Sequence, residues 1–289
     1  FEIGVYHFGE LTSNPKTGES LSPAARMAQL VEQAQLADQV GLDVFGVGEH
    51  HRSDFAISAP AVVLGAMAMR TQRIKLLSSD DPVRVYEQYS TVDNLSTGRA
   101  EMIVGRGSYI ESFPLFGYDL GDYNELFDEK LDLLIAIQRE NPLTWKGALR
   151  PAINQADIAP RAYENREIPL WVAVGGTPAS VVRAASRGLP MALGILGGRF
   201  DGFAPFVEAY RDAGYAAGFE DQQLAVSVNG PGFVAKTSQE ALDISYPYFA
   251  NGMMENFHQR GRGHSMPRQA YDVTASDEGA LFVGSPEQI

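Results

Sequence analysis

The stretch Asp43-Val44-Phe45-Gly46-Val47-Gly48-Glu49-His50-His51-Arg52-Ser53-Asp54-Phe55 decides how the rest of the chain is read. Its apolar opening, Asp43-Val44-Phe45, reads as a buried strand, and the apolar run Ala59 to Met69 beyond it reads as a helix. Glu49, His50 and His51 then fall where a strand ends and a βα loop begins. Parallel α/β folds gather their chemistry along that edge, because side chains from several strand ends converge there. Two of the chain's five histidines sit in this tripeptide. Three readings stay open: acid–base chemistry by a histidine near neutral pH, a metal site, or structural pairing. A shared metal would need a distorted loop, since adjacent residues of an extended segment point to opposite sides.

Outward from this stretch, strands and helices alternate. Glu2 to Phe8 reads as a first strand. Ser22-Pro23 opens a helix, with Met27, Leu30, Val31, Ala34 and Ala37 at helical spacing and Gly41 closing it. Arg73 to Ser79 is a short third strand, Asp81 to Leu95 a helix, and Ala100 to Gly107 a strand that runs into a glycine-flanked arginine. A helix over Phe127 to Ile135 comes next, and residues 141–167 read as an irregular surface excursion. Ile168 to Val174 is a strand, with a helix to Gly188 behind it. Met191 to Leu196, a helix from Phe203 to Ala217, and Leu224 to Val234 continue the pattern. A helix starts near Ser238 and runs past Met254, residues 258–278 read as a loop, and Gly279 to Pro286 heads a further helix. Seven strands alternating with helices over 1–289 predict one α/β domain with a parallel sheet.

Composition narrows the function. The formal charge is −13 and no Lys/Arg cluster interrupts it, so neither nucleic acid nor an anionic membrane is an expected partner. There is no cysteine, which excludes disulfides, thiolate metal ligation and cysteine nucleophiles. No apolar run reaches the roughly 18 residues of a membrane span, and a cytoplasmic protein is expected. The small residues of the second helix (Ala59, Ala61, Gly65, Ala66, Ala68) suit close helix packing, within one subunit or across a homodimer.

Two further constellations have two readings each: an anion site, or else an ordinary capped loop for the first and a salt bridge to an acidic residue for the second. In Val174-Gly175-Gly176-Thr177-Pro178, two glycines leave a strand and Thr177 and Pro178 open a helix, whose N-terminal N–H groups and dipole attract a phosphate. In Gly105-Arg106-Gly107, a guanidinium at another strand end can fork onto a phosphate or carboxylate. The aromatic stripe Phe113, Phe116, Tyr118 reads as core, or as a face for a flat ligand.

Several segments, taken in order, resemble the bacterial luciferase-like, flavin-dependent monooxygenases. They are Gly48-Glu-His-His51, Asp81-Pro-Val-Arg84, Leu95-Ser-Thr-Gly-Arg-Ala-Glu101, Gly105-Arg-Gly-Ser-Tyr109, Phe113-Pro-Leu-Phe-Gly-Tyr-Asp119, Trp171-Val-Ala-Val-Gly-Gly-Thr-Pro178, Gly188-Leu-Pro190 and Gly284-Ser-Pro-Glu287. The resemblance implies a TIM-type (β/α)8 barrel with insertions, commonly dimeric, whose eighth strand is not visible in the chain. It implies reduced, dissociable FMN delivered by a separate NAD(P)H flavin reductase. That flavin would react with O2 to a C4a-hydroperoxide, which oxidises a small apolar substrate such as an aldehyde, alkane or aromatic. His50 falls on the family's catalytic histidine. Arg106, Gly175, Gly176, Thr177 and Ser180 fall on its phosphate site. Phe8, Glu49, His51 and Phe113 are the expected substrate contacts, and no metal is expected. Relatives that transfer hydride with the deazaflavin F420 make that cofactor the alternative, and a non-catalytic flavin-binding protein is a third reading. Two departures stand out: a family segment between the equivalents of Leu76 and Leu77 is missing, and the chain stops before the eighth strand. Both predict a native protein heavier than the 31.4 kDa of this chain.

Overall fold

Capping sets the helix boundaries. In the computed structural model, which describes residues 1–72, 81–106, 112–259 and 266–289, helix α1 (Pro23–Val40) starts where the Ser22 side chain accepts from the Ala25 N–H. It stops at Gly41, whose left-handed φ of 91° lets the chain turn off the helix. Helix α3 (Pro82–Ser96) is capped by Asp81, which accepts from Val83 and Arg84 N–H. The expected third strand, Arg73 to Ser79, lies outside the described residues.

The chain forms two compact units: residues 1–11 with 21–171, and residues 12–20 with 172–289. In the first, strands β1 (Gly4–His7) and β2 (Val44–Val47) pair in parallel, with Tyr6 opposite Gly46 and His7 opposite Val47. Helix α1 connects β1 to β2, helices α2 (Pro60–Ala68) and α3 follow β2, and strand β3 (Met102–Val104) is next. A short helix α4 (Ser112–Phe116) precedes α5 (Tyr123–Arg139). In α1, Leu30, Ala34 and Ala37 are buried at helical spacing; in α5, Leu131, Leu134 and Ile137 are.

Residues 141–167 are more ordered than expected. They hold an antiparallel pair, β4 (Leu143–Trp145) with β5 (Ile153–Ala156). A fully buried carboxylate anchors the segment from Tyr163 to Arg166: Asp93 takes the Arg166 guanidinium at 2.6 Å and accepts from the backbone N–H of Ala100 and Tyr163. Saturating a buried carboxylate with an arginine and two N–H groups is what makes its burial tolerable.

In the second unit, β6 (Leu170–Val174, from Val172 onward), β7 (Met191–Gly194) and β8 (Val226–Asn229) pair in parallel in that order. Helices α6 (Pro178–Ala185) and α7 (Ala204–Ala216) connect them. The expected long strand Leu224 to Val234 is broken at Gly230-Pro231, because proline cannot donate to a ladder; β9 (Gly232–Val234) continues beyond it. The last segment departs from expectation twice. After α8 (Ser238–Gln259), the expected loop contains α9 (Arg268–Thr274), and Gly279 to Pro286 leads into strand β10 (Phe282–Gly284), parallel to β9, rather than into a helix. Ala241, Tyr271, Ala275, Leu281 and Val283 make one buried cluster there, so packing decides both elements. Among the described residues, no helix is long and apolar enough to cross a membrane.

Candidate active site

The end of β1 and the loop after β2 are built for one another. Gly46 and Gly48 lie beneath the rings of Tyr6 and Phe8; a Cβ would stand 2.3 Å and 2.1 Å from their ring carbons. Glycine is required there by close approach, not by conformation. The loop closes on itself, His50 N–H donating to Ile57, and on the segment after β1, Ala56 N–H donating to Gly9 and Leu11 N–H to Asp54. Glu10 bridges to Phe55.

This arrangement holds the His50 imidazole in an aromatic slot. Its centroid is 5.1 Å from that of Phe8 and 4.2 Å from that of Phe55. Burial lowers the His50 pKa to about 4; Glu10 and Asp54 oppose the drop electrostatically, while Arg52 and His51 add to it. His50 is therefore neutral at pH 7, with one ring N–H to give and one lone pair to accept. The sequence suggested a histidine titrating near pH 7, and the apolar slot is the reason it does not.

His51 faces different surroundings. Its Nε2 lies 2.9 Å from Glu49 Oε1, and Phe116 meets it edge-on at 4.8 Å. Arg52 is held by Asp54 through two contacts of 2.8 and 2.5 Å. Glu10 is a charged neighbour that sequence reasoning missed. Burial raises its pKa, yet the hydrogen bond and charge of His7, 3.1 Å away, leave it below the usual carboxylate value. Its only signal in the sequence is its place just beyond a strand end.

Arg106 and Phe113 meet on a third residue. The guanidinium lies 5.0 Å from the Tyr123 centroid and donates to Asn124 Oδ1 at 2.7 Å, and buried Phe113 packs on the same ring at 5.4 Å. Since Phe113 and Phe116 are one turn apart on α4, that helix serves both Arg106 and His51. Tyr123 and Asn124 were not legible, because nothing local marks the start of α5 as a partner for residue 106. Among the described residues, no group of three or more His, Asp or Glu is placed to hold a metal.

The glycine turn belongs to the second unit. β6 leads into Gly175, around which a Cβ would meet nothing within 4 Å, and into Gly176, whose φ of 86° is left-handed. One expectation is corrected here. Thr177 occupies the N-cap position of α6 but makes no side-chain cap; its Oγ1 lies 2.7 Å from Ser180 Oγ. A buried hydroxyl one turn into the helix competes for it, and Ser180 is only 3% exposed. Open space over Gly175, a paired set of hydroxyls and a helix N-terminus suit an anion.

Comparison with known proteins decides the family. The model for luciferase-like monooxygenases matches residues 1–289. The chain belongs to the luciferase-like monooxygenase family. It is 28% identical to an N-acetyl-S-alkylcysteine monooxygenase of Bacillus subtilis, over 94% of this chain and 75% of that one. It is 29% identical to an uncharacterised protein of Sinorhizobium fredii, over 58% and 51%, and 26% identical to the alkanal monooxygenase alpha chain of the Kryptophanaron alfredi symbiont, over 57% and 48%. The last two matches span about half the length of those relatives.

Among solved structures, a Streptomyces bottropensis monooxygenase superposes with a TM-score of 0.80 at 21% identity, over 100% of this chain and 86% of that one. The oxygenating constituent of a Pseudomonas putida diketocamphane monooxygenase, solved with FMN, gives 0.75 at 19%, over 99% and 85%. An F420-dependent tetrahydromethanopterin reductase of Methanopyrus kandleri gives 0.73 at 15%, over 99% and 87%. The fold is accordingly the TIM-type α/β barrel class of these proteins.

Proposed function

We propose that the protein is a monooxygenase that uses reduced FMN and O2 to oxidise a small apolar organic substrate, with residues 1–289 acting as one domain. The observation that carries this reading is His50, held neutral between Phe8 and Phe55 at a strand end.

The residues suit the cofactor. A flavin phosphate needs N–H and O–H donors; in the second unit Gly175, Gly176, Thr177 and Ser180 offer that set, with open space over Gly175, and in the first unit Arg106 is proposed separately as an anion contact. When bound, reduced flavin supplies the electrons that activate O2. The chain's own residues do the rest. With a pKa of about 4, His50 is a weak base at pH 7, so its part is to hold a hydrogen bond from a ring N–H and to accept a proton only as one is released. Phe8 and Phe55 shield part of its ring from water, while Phe8 itself stays exposed. Phe8, Phe113 and the Glu49–His51 pair are proposed substrate contacts, Glu49 fixing the His51 ring. A flavin reductase, a homodimer and a cytoplasmic location complete the proposal.

The F420 reading is supported by the fold likeness to the Methanopyrus kandleri reductase. Anaerobic titration with each reduced cofactor separates the two. Tight binding of reduced FMN, weakened in Ser180→Ala, is the expected result. Selective binding of reduced F420 would overturn the proposal. FMN binding with no substrate-coupled oxygen use would leave only a flavin-binding protein.

A further inference from the structure

Helix α5 sets Leu126, Glu129, Lys130 and Leu133 at positions i, i+3, i+4 and i+7, one face of the helix. All four line a groove of about 380 Å³, whose opposite wall is the segment 149–152 between β4 and β5. That volume lies at the small end of the ~300–1,000 Å³ of small-molecule sites.

The opposite wall is fixed in place. The Glu129 carboxylate accepts the backbone N–H groups of Ala148 at 2.6 Å, Leu149 at 2.9 Å and Arg150 at 2.9 Å. Residue 147 is glycine because a Cβ there would stand 2.1 Å from Glu129 Oε1. Three N–H donors hold that carboxylate against the backbone of residues 148–150. Asp81 caps α3 and faces Arg150 at 3.6 Å, so these two are committed to each other. Lys130 is different. Its ammonium lies 4.2 Å from the Tyr118 ring centroid, and among the described residues no carboxylate forms an ion pair with it. The groove thus joins the accessible apolar surface of Leu126 and Leu149, with buried Leu133 behind them, to one cation without a counter-ion among the described residues, in a chain of net charge −13.

We propose that this groove binds a small amphipathic carboxylate, its aliphatic tail on Leu126 and Leu149 and its head on Lys130. The site includes neither His50 nor the glycine turn, and it does not depend on the monooxygenase reading.

The test is calorimetric titration of the whole chain with octanoate, octanol and octylamine, for wild type, Lys130→Glu and Leu149→Asp. One saturable octanoate site is expected, at least about tenfold tighter than octylamine. Lys130→Glu should weaken octanoate by about tenfold or more and erase its preference over octylamine; Leu149→Asp should weaken all three ligands. Leu149 is 41% exposed, so this change leaves the core intact, and Lys130→Glu decides alone should the other variant misfold. No saturable octanoate heat, or equal affinity in all three proteins, would overturn the proposal.

Discussion

Replacing His50 by glutamine removes the one titration that the aromatic slot perturbs most. The His50 pKa is about 4 in the folded protein, against about 6.5 for an unfolded histidine. The folded value is the lower one. As pH falls below about 6.5, the unfolded chain binds a proton that the folded chain refuses, so stability drops until about pH 4 and then levels off for this group. The full shift corresponds to about 3 kcal/mol, and between pH 7.5 and 4.5 about 2 kcal/mol of it is lost. Urea unfolding of wild type and His50→Gln at both pH values isolates this amount, because the carboxylates common to both proteins cancel. The wild type should lose about 2 kcal/mol more than the variant on acidification. An equal loss in the two proteins would refute the slot as the cause of the shift.

Other expectations rest on close contacts. Gly48→Ala places a methyl 2.1 Å from the Phe8 ring; it should cost about 1–3 kcal/mol in denaturant unfolding and, by displacing Phe8, bring the His50 pKa, read by NMR, back toward 6.5. Asp93→Ala strips Arg166 of its buried partner and should cost about 3–5 kcal/mol, seen as a lower unfolding midpoint. Ser180→Ala removes a buried hydroxyl at the α6 N-terminus and should weaken FMN by about tenfold, the worth of one charge-assisted hydrogen bond.

The parts legible in the sequence are those with local causes. Ser22-Pro23 and Gly41 bracket α1 because a cap and a left-handed stop act within a turn of the helix they bound. Asp81 does the same for α3, and the strand-to-loop position of Glu49-His50-His51 comes from the run of apolar residues before it. The parts that were not legible depend on distant partners. The β4–β5 hairpin rests on Glu129, about twenty residues upstream, and its strands are too short to show a period. The link from Arg106 to Tyr123 and Asn124 joins a strand end to the first turn of a later helix. The His50 pKa is set by Phe8 and Phe55, neither adjacent to it, so the histidine's protonation state could not be read from the tripeptide. Thr177 looked like a helix cap, and only a buried Ser180 one turn on shows where its hydroxyl goes.

The most direct measurement is turnover under labelled oxygen. The chain is supplied with reduced FMN, 18O2 and a panel of a long-chain aldehyde, an alkane and an aromatic, and the products are weighed by mass spectrometry. The account predicts one labelled oxygen in the product of at least one substrate, replaced by hydrogen peroxide in His50→Ala. Substrate oxidation with no label, sustained without oxygen by oxidised F420, would contradict it.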